Sequence, residues 1–147
     1  MNTYHLRPAR VADARRIRQI IHRLHLNPLA LDWQRFILAV DEQDQVIGCG
    51  QVKPHRDGSC ELASIAVLPE WRGQKIARAI IEHLLKANPG PLYLTCRASL
   101  GRFYEKFGFR TLELNEMPPY FQRLSRLADL LVRSSLEQEG MLVMKRG

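Results

Sequence analysis

The chain has 147 residues, 46% of them hydrophobic, and a formal net charge of +7. This length and composition exclude a disordered chain and predict one compact domain over residues 1–147. No apolar run approaches the roughly 18 residues of a membrane-spanning helix, and the N-terminal segment lacks the apolar run of a secretory signal, so we expect neither.

Strands and helices alternate along the chain without a repeat or a linker. Strands are predicted at residues 4–7, 36–40, 46–53, 60–68, 92–95, 109–114 and 141–145. Helices are predicted from 12 to 24, from 73 to 87, from 99 to 107 and from 120 to 134. This order predicts an α/β fold, a mixed sheet with helices on both of its faces.

Two strands carry further information. The strand at 46–53 contains Gly48 and Gly50, which indicate either a bulge or a close approach of another backbone. In the strand at 60–68 both alternating sets of side chains are mostly apolar. That strand is therefore expected at the centre of the sheet, covered on both sides.

The most informative stretch is residues 62–77, a central strand that turns into a helix. The first turn of a helix presents unpaired N–H groups and a positive dipole end, and Gly73 has no side chain to keep an anion away from them. Arg72 and Lys75 add positive charge at the same point. The residues alone leave two interpretations open, a diphosphate site and simple helix capping. The spacing fits neither a nucleotide triphosphatase loop nor a dinucleotide-binding loop.

Residues 65–77, IAVLPEWRGQKIA, resemble the acetyl-CoA signature of the GNAT superfamily of N-acetyltransferases. The signature ends in Q/R-x-x-G-x-G/A, and Arg72 and Ala77 match its first and last positions, whereas Lys75 stands where glycine is usual. The resemblance implies acetyl-CoA as co-substrate, without a metal. The residues that it implies for cofactor binding here are Ile65, Ala66, Val67, Arg72, Gly73, Gln74, Lys75, Ile76 and Ala77.

A second block, LYLTCRASLGRFYEKFGF at residues 92–109, resembles the strand and helix of the same family that end in F-Y-E-K-x-G-F. Phe103 and Lys106 are implied as further cofactor contacts. Arg97 and Leu100 depart from the family's usual Asn and Ala. Arg97 either contacts the cofactor or an acidic substrate group, or is a plain surface arginine. Residues 4–9 also resemble the family's opening strand, so that the resemblance covers nearly the whole chain.

The resemblance implies a GNAT-like fold and a mechanism. The fold is a mostly antiparallel sheet of six to seven strands whose central strands splay apart, so that backbone N–H groups of Ile65 and Val67 can stabilise the thioester oxygen. The reaction is direct attack of a primary amine on acetyl-CoA within a ternary complex. Glu61 is implied as the base, acting directly or through water, with a surface glutamate as the alternative. Tyr104 is implied as the acid for the leaving thiolate, with a packed aromatic residue as the alternative.

A cation next to Tyr104 would lower the pKa of its hydroxyl, and Lys106 or Arg97 could supply that cation.

The cysteines and histidines predict no further chemistry. Cys49, Cys60 and Cys96 lie far apart and in predicted strands, which favours buried free thiols in a reducing, cytoplasmic location. His22 and His25 are three residues apart, but no third ligand is evident, so no metal site is expected.

The acceptor amine is left open, as a small molecule or a protein amine. We expect residues 27–33 and 115–121 to form the walls of the site that binds this amine. The candidate aromatic lining residues are Trp33, Tyr120 and Phe121, with a place in the core as the equal alternative for each. The acidic residues that could attract a cationic amine are Asp32, Glu113 and Glu116. The oligomeric state, monomer or homodimer, is left open as well.

The sequence leaves two alternatives to an N-acetyltransferase. One is a non-catalytic acyl-CoA-binding or regulatory module on the same fold, suggested by Lys75, Arg97 and Leu100. The other is a nucleic-acid-binding protein, suggested by the net charge of +7. The basic residues are dispersed and no nucleic-acid-binding motif occurs, so nucleic acid is not an expected partner.

Overall fold

The computed structural model describes residues 3–133 and 139–147. The strands are β1 (His5–Pro8), β2 (Phe36–Val40), β3 (Val46–Pro54), β4 (Cys60–Val67), β5 (Leu92–Arg97), β6 (Arg110–Thr111) and β7 (Met141–Arg146). The α-helices are α1 (Ala14–Arg23), α2 (Ile76–Ala87), α3 (Gly101–Glu105) and α4 (Pro119–Arg133). Neighbouring strands are hydrogen-bonded in the order β1-β2-β3-β4-β5-β7-β6.

The sheet is mixed and mostly antiparallel, which confirms the expected fold class. Antiparallel pairing joins β1 to β2, β2 to β3, β5 to β7 and β6 to β7. β4 and β5 are parallel, with Glu61 opposite Tyr93. None of the helices in the described residues combines the length and the hydropathy that crossing a bilayer requires.

The predictions differ from the structure mainly at the start of one helix and in the length of one strand. The helices predicted at 12–24 and 99–107 are also shorter in the structure, as α1 and α3. The helix expected from residue 73 begins at Ile76, because Gly73 and Lys75 have φ of +83° and +62°, outside the helical region. The strand expected at 109–114 is reduced to the two residues of β6. The last helix was predicted to reach Ser134, which lies outside the described residues.

The chain divides into two compact units. Unit 1 comprises Met1–Lys53 and Leu62–Pro89, and unit 2 comprises Pro54–Glu61 and Gly90–Gly147. The prediction of one domain over the whole chain stays a prediction.

The core of unit 1 forms where helix faces with apolar spacing meet β2. Every residue of β2 is buried, as expected for a run of five apolar residues. The buried side chains of the two helices are Ile17, Ile20 and Ile21 in α1, and Ile76, Ile80, Ile81, Leu84 and Leu85 in α2.

Gly48 in β3 confirms the expected close approach of another backbone, because a Cβ there would lie 3.0 Å from Ala66 O. At Gly50 the close neighbours are side chains, since a Cβ there would lie 2.7 Å from both Ile65 Cδ1 and Ile80 Cγ2.

Unit 2 is built on β5, β7 and β6 with α3 and α4. Its core includes a cluster of Leu112, Met117, Phe121 and Val143. Phe121 is fully buried, so it belongs to the core and does not line a substrate wall. The turn between β3 and β4 and the first two residues of β4 also belong to this unit.

Candidate active site

The predicted cofactor turn lies in unit 1, between β4 and α2. A 3₁₀ turn, Pro69–Trp71, follows β4 and is closed by hydrogen bonds from Trp71 N to Leu68 O (2.9 Å) and from Arg72 N to Pro69 O (3.2 Å). Gly73 then has φ of +83°. The left-handed backbone at this glycine redirects the chain, so that α2 can begin three residues later.

The turn has the properties of an anion site. Space is open where Gly73 would carry a Cβ, with no atom within 4 Å. Lys75, the N-cap residue of α2, makes no side-chain capping hydrogen bond, and the first turn of α2 contains no acidic residue. Arg72 and Lys75 are both exposed. The N–H groups that open α2 therefore lie near two cations, and the first turn of α2 itself contributes no carboxylate.

Lys75 stands where the family signature usually has glycine, and its backbone adopts a conformation that favours glycine. Its φ of +62° lies in the left-handed region, which glycine enters without steric strain. This explains in physical terms why glycine suits the position. The lysine side chain is exposed and does not close the space at Gly73.

A second irregularity lies within β4 itself, at Ser64. Its φ is +58°, although it lies inside a strand. Its hydroxyl accepts a hydrogen bond from Gln51 Nε2 at 2.9 Å, and its carbonyl accepts one from Cys49 Sγ at 3.4 Å. Contacts to β3 thus hold the backbone just before Ile65 in a non-strand conformation, which the serine itself does not reveal in the sequence.

The candidate base, Glu61, lies in unit 2 at the start of β4. It is 6% exposed, and its Oε1 is 2.8 Å from His55 Nε2. The alternative of a surface glutamate is therefore wrong. A buried carboxylate needs a partner, and His55 supplies it.

Sequence reasoning missed His55. The residue lies in the turn between β3 and β4, where its N–H donates to Ser59 O at 2.8 Å. Its ring stacks on Tyr120, with centroids 3.7 Å apart and an interplanar angle of 19°, and meets Phe121 edge-on at 5.6 Å. The signal available in the sequence was the hairpin itself, because closing a turn at 55–59 brings residue 55 beside the start of the next strand.

Asp57 links this turn to α4. Its carboxylate accepts hydrogen bonds from the N–H and hydroxyl of Ser59 and from Tyr120 N, the last at 3.0 Å. The hydrogen bond from the Ser59 hydroxyl does most to hold the pKa of Asp57 below its ordinary value. Tyr120 is half-buried, and its pKa is raised by that burial and then by the charge of Glu61. The carboxylate of Glu61, the imidazole of His55 and the phenol of Tyr120 thus form one cluster.

Tyr104, the candidate acid, lies in α3 and is half-buried. Its ring meets Phe103 edge-on at 5.1 Å and Phe109 at 6.2 Å. Burial, followed by the charge of Cys96, raises the pKa of Tyr104 to about 12. The expectation that a cation lowers this pKa is therefore wrong, and both Arg97 and Lys106 are exposed.

The other predicted lining residues have local structural roles. Asp32 accepts a hydrogen bond from Gln34 N at 3.0 Å and caps a short helix that begins at Trp33. Glu116 accepts one from the backbone of Glu113 and pairs with Arg110 at 2.9 Å. Of the predicted aromatic residues, Tyr120 and Phe121 both contact His55, the partner of Glu61.

The thiols are free and no metal group is apparent. Cys49 and Cys96 are buried as expected, and burial raises the pKa of Cys49 to about 12 and that of Cys96 to about 11. Cys60 is half-buried. Within residues 3–133 and 139–147, no three His, Cys, Asp or Glu side chains are grouped so that they could hold a metal ion.

Comparison with known proteins identifies a family. A family model described as acetyltransferase (GNAT) domain matches residues 32–111, more than half of the chain. No curated protein matches the sequence.

Solved structures share the fold. Rv2747 from Mycobacterium tuberculosis, in complex with CoA and NLQ, is 23% identical with a TM-score of 0.71, over 97% of this chain and 98% of that chain. The ribosomal-protein-S18-alanine N-acetyltransferase from Escherichia coli is 20% identical with a TM-score of 0.67, over 98% and 93%. The N-acetylglutamate synthase from Neisseria gonorrhoeae, complexed with coenzyme A and N-acetyl-glutamate, is 16% identical with a TM-score of 0.73, over 98% and 35%. This chain thus spans about a third of that synthase.

Proposed function

The chain belongs to the acetyltransferase (GNAT) domain family, and from this premise we propose that it transfers the acetyl group of acetyl-CoA to a primary amine by direct attack in a ternary complex. One observation carries the proposal beyond the family: Glu61 is a buried carboxylate with one oxygen held by His55 at 2.8 Å. The three free thiols support the proposed cytoplasmic location.

The co-substrate is proposed to bind at the turn before α2. Space is open at Gly73 just before α2, and Arg72 and Lys75 supply positive charge for a diphosphate that the N–H groups at the start of α2 would bind. When bound, acetyl-CoA supplies an activated thioester. The proposed contacts are Ile65, Ala66, Val67, Arg72, Gly73, Gln74, Lys75, Ile76, Ala77, Phe103 and Lys106. The splaying of β4 and β5, which would free the N–H groups of Ile65 and Val67 for the thioester oxygen, stays a prediction.

Glu61 is proposed to remove the proton that prevents the amine from attacking. A lysine-like amine has a pKa of about 10.4, so its neutral form costs roughly 4–5 kcal/mol at pH 7. In the proposed step an N–H bond of the ammonium breaks and the nitrogen keeps the electron pair. An O–H bond forms on Glu61, either directly or through a water that accepts the proton and passes one of its own to Glu61. The low exposure of Glu61 limits the access of bulk water to this carboxylate.

Tyr104 is proposed to return a proton to the leaving thiolate. With a pKa of about 12 it is fully protonated at neutral pH. Transfer to a thiolate of reference pKa about 8.5 is then uphill by about 5 kcal/mol. The role therefore requires that the thiolate forms in a poorly solvated place, since desolvation raises the pKa of the thiol as it raised that of Tyr104.

That same pKa favours a second candidate, a non-catalytic acyl-CoA-binding or regulatory module. If Tyr104 holds its proton too strongly to give it to the leaving thiolate, the protein would bind acetyl-CoA without transferring the acetyl group. The module and the enzyme both bind acetyl-CoA, so turnover separates them.

Thiol release from acetyl-CoA, followed against a panel of small amines and peptides, tests the proposal. We expect at least one amine to stimulate release, and Glu61→Gln to lower kcat about 10²–10⁴-fold, the contribution of a general base. Glu82→Gln is the matched control, because Glu82 is an exposed member of a surface pair with Arg78. Binding of acetyl-CoA without stimulation by any amine would favour the module.

A further inference from the structure

We propose that His55 is a positioning residue, which fixes the carboxylate of Glu61 so that one chosen oxygen accepts the proton of the amine. The proposal rests on the proposed function of Glu61. It adds a residue that lies in a hairpin turn, outside both sequence blocks that resemble the family.

The contact itself is short and shielded. His55 Nε2 and Glu61 Oε1 are 2.8 Å apart, and the two side chains are 12% and 8% exposed. A hydrogen bond to a carboxylate in such surroundings is stronger than the same bond in water, because fewer waters compete for either group. Thermal reorientation of the carboxylate is therefore restricted.

The imidazole is held in turn by two aromatic rings. Tyr120 lies parallel to one face of His55, with ring centroids 3.7 Å apart, and Phe121 meets the imidazole edge-on at an interplanar angle of 84°. Phe121 is fully buried in the core of unit 2. Two rings at different orientations fix the plane of the imidazole and hence the direction of Nε2.

The backbone on both sides of the imidazole is tied together as well. Asp57, two residues after His55, accepts hydrogen bonds from Ser59 N at 2.9 Å and from Tyr120 N at 3.0 Å. The turn that carries His55 and the start of the helix that carries Tyr120 are thus joined by one carboxylate. The clamp on the imidazole is a built arrangement of strand, turn and helix.

The arrangement assigns different tasks to the two carboxylate oxygens of Glu61. Oε1 lies 2.8 Å from Nε2. Because an ionised carboxylate only accepts hydrogen bonds, the proposed arrangement has the imidazole proton on Nε2 and Oε2 as the oxygen that serves the amine. No described residue hydrogen-bonds to Nδ1 of His55. The charged and titratable groups that face the imidazole are Glu61 from β4, Asp57 from its own turn and Tyr120 from α4.

Two substitutions separate positioning from mere packing. His55→Phe keeps an aromatic ring between Tyr120 and Phe121 but removes the donor to Glu61. His55→Gln loses the ring but keeps an N–H donor. With the best amine substrate we expect His55→Phe to lower kcat about 10–100-fold with an unchanged KM for acetyl-CoA, the effect of a base displaced by about an ångström, and His55→Gln to recover part of that loss. The control is His83→Phe, on the exposed side of α2.

A spectroscopic readout tests the contact without turnover. In ¹⁵N-histidine-labelled protein, the His55 resonances are those absent from His55→Phe. We expect one tautomer with the proton on Nε2, and a shift of those resonances in Glu61→Gln. A proton on Nδ1, or resonances indifferent to Glu61→Gln, would overturn the proposal.

Turnover distinguishes the two levels of the proposal. If the wild-type protein is active and folded His55→Phe retains the wild-type kcat, the positioning role is overturned and the proposed function stands. If the wild-type protein acetylates no amine while the resonances show the Nε2 tautomer bonded to Glu61, the proposed function fails and the contact is structural only.

Discussion

Lys75 occupies a backbone conformation that most side chains avoid. Its φ of +62° costs an L residue about 1–2 kcal/mol relative to the right-handed region, whereas glycine adopts it readily. The residue is exposed and stands at the N-cap of α2, beside the open space at Gly73. A strained lysine at this position suggests that its charge contributes to binding an anionic ligand.

Substituting Lys75 in two ways separates its charge from its strain. Lys75→Ala removes the charge and keeps the strain, whereas Lys75→Gly removes both. We expect both variants to bind acetyl-CoA about 2–5-fold more weakly at low salt, the usual worth of one exposed charge, and Lys75→Gly to melt no lower than Lys75→Ala. Calorimetric titration and thermal melts measure the two effects. Lys86→Ala, at the far end of α2, is the control, and equal affinity of all three variants and wild type would show that the Lys75 charge does not reach the ligand.

At the scale of elements, Arg7 ties β1 to two other parts of unit 1. Its guanidinium bonds both oxygens of Asp13, at 2.8 and 3.1 Å, and Asp44 at 2.9 Å. Asp13 precedes α1, and Asp44 lies in the turn between β2 and β3. The hydrogen bond from Arg7 holds the pKa of Asp13 below its ordinary value. Asp13 therefore contributes stability that is present above the unfolded pKa of about 3.9 and is lost as the pH falls through the folded pKa.

Removing Arg7 should weaken unit 1 and alter its response to acid. Arg7→Met removes two charged hydrogen bonds from the half-buried Asp13, which keeps the one from Arg10 N, and we expect a loss of about 2 kcal/mol in the free energy of unfolding at pH 7. Between pH 7 and pH 3 the wild type should lose more stability than the variant, because Arg7→Met removes the largest of the interactions that lower the pKa of Asp13. Urea unfolding at both pH values measures this. Arg18→Met, on the exposed side of α1, serves as control, and equal acid sensitivity of variant and wild type would refute the assignment.

Across the whole molecule, the periodicity of apolar residues predicts the long elements such as β2 and α1, whereas it does not predict contacts between distant residues. The five apolar residues of β2 and the stripe of isoleucines in α1 have one low-energy arrangement each, and both were predicted. The start of α2 was placed three residues early, because nothing in a lysine announces a left-handed backbone. The contact between His55 and Glu61 depends on how one hairpin turn closes and on a helix that begins more than 50 residues later. The resemblance to the family implies Glu61 as the base, whereas the contact with His55 is visible only in the folded structure.

We propose that the peptide groups opening α2 bind the diphosphate of acetyl-CoA. Hydrogen exchange of the backbone amides, followed by mass spectrometry with and without acetyl-CoA, tests it most directly. We predict slower exchange at residues 73–77 on addition of acetyl-CoA, and unchanged exchange in the exposed loop at residues 113–116. Unchanged exchange at residues 73–77 at a concentration of acetyl-CoA that saturates binding would contradict the account.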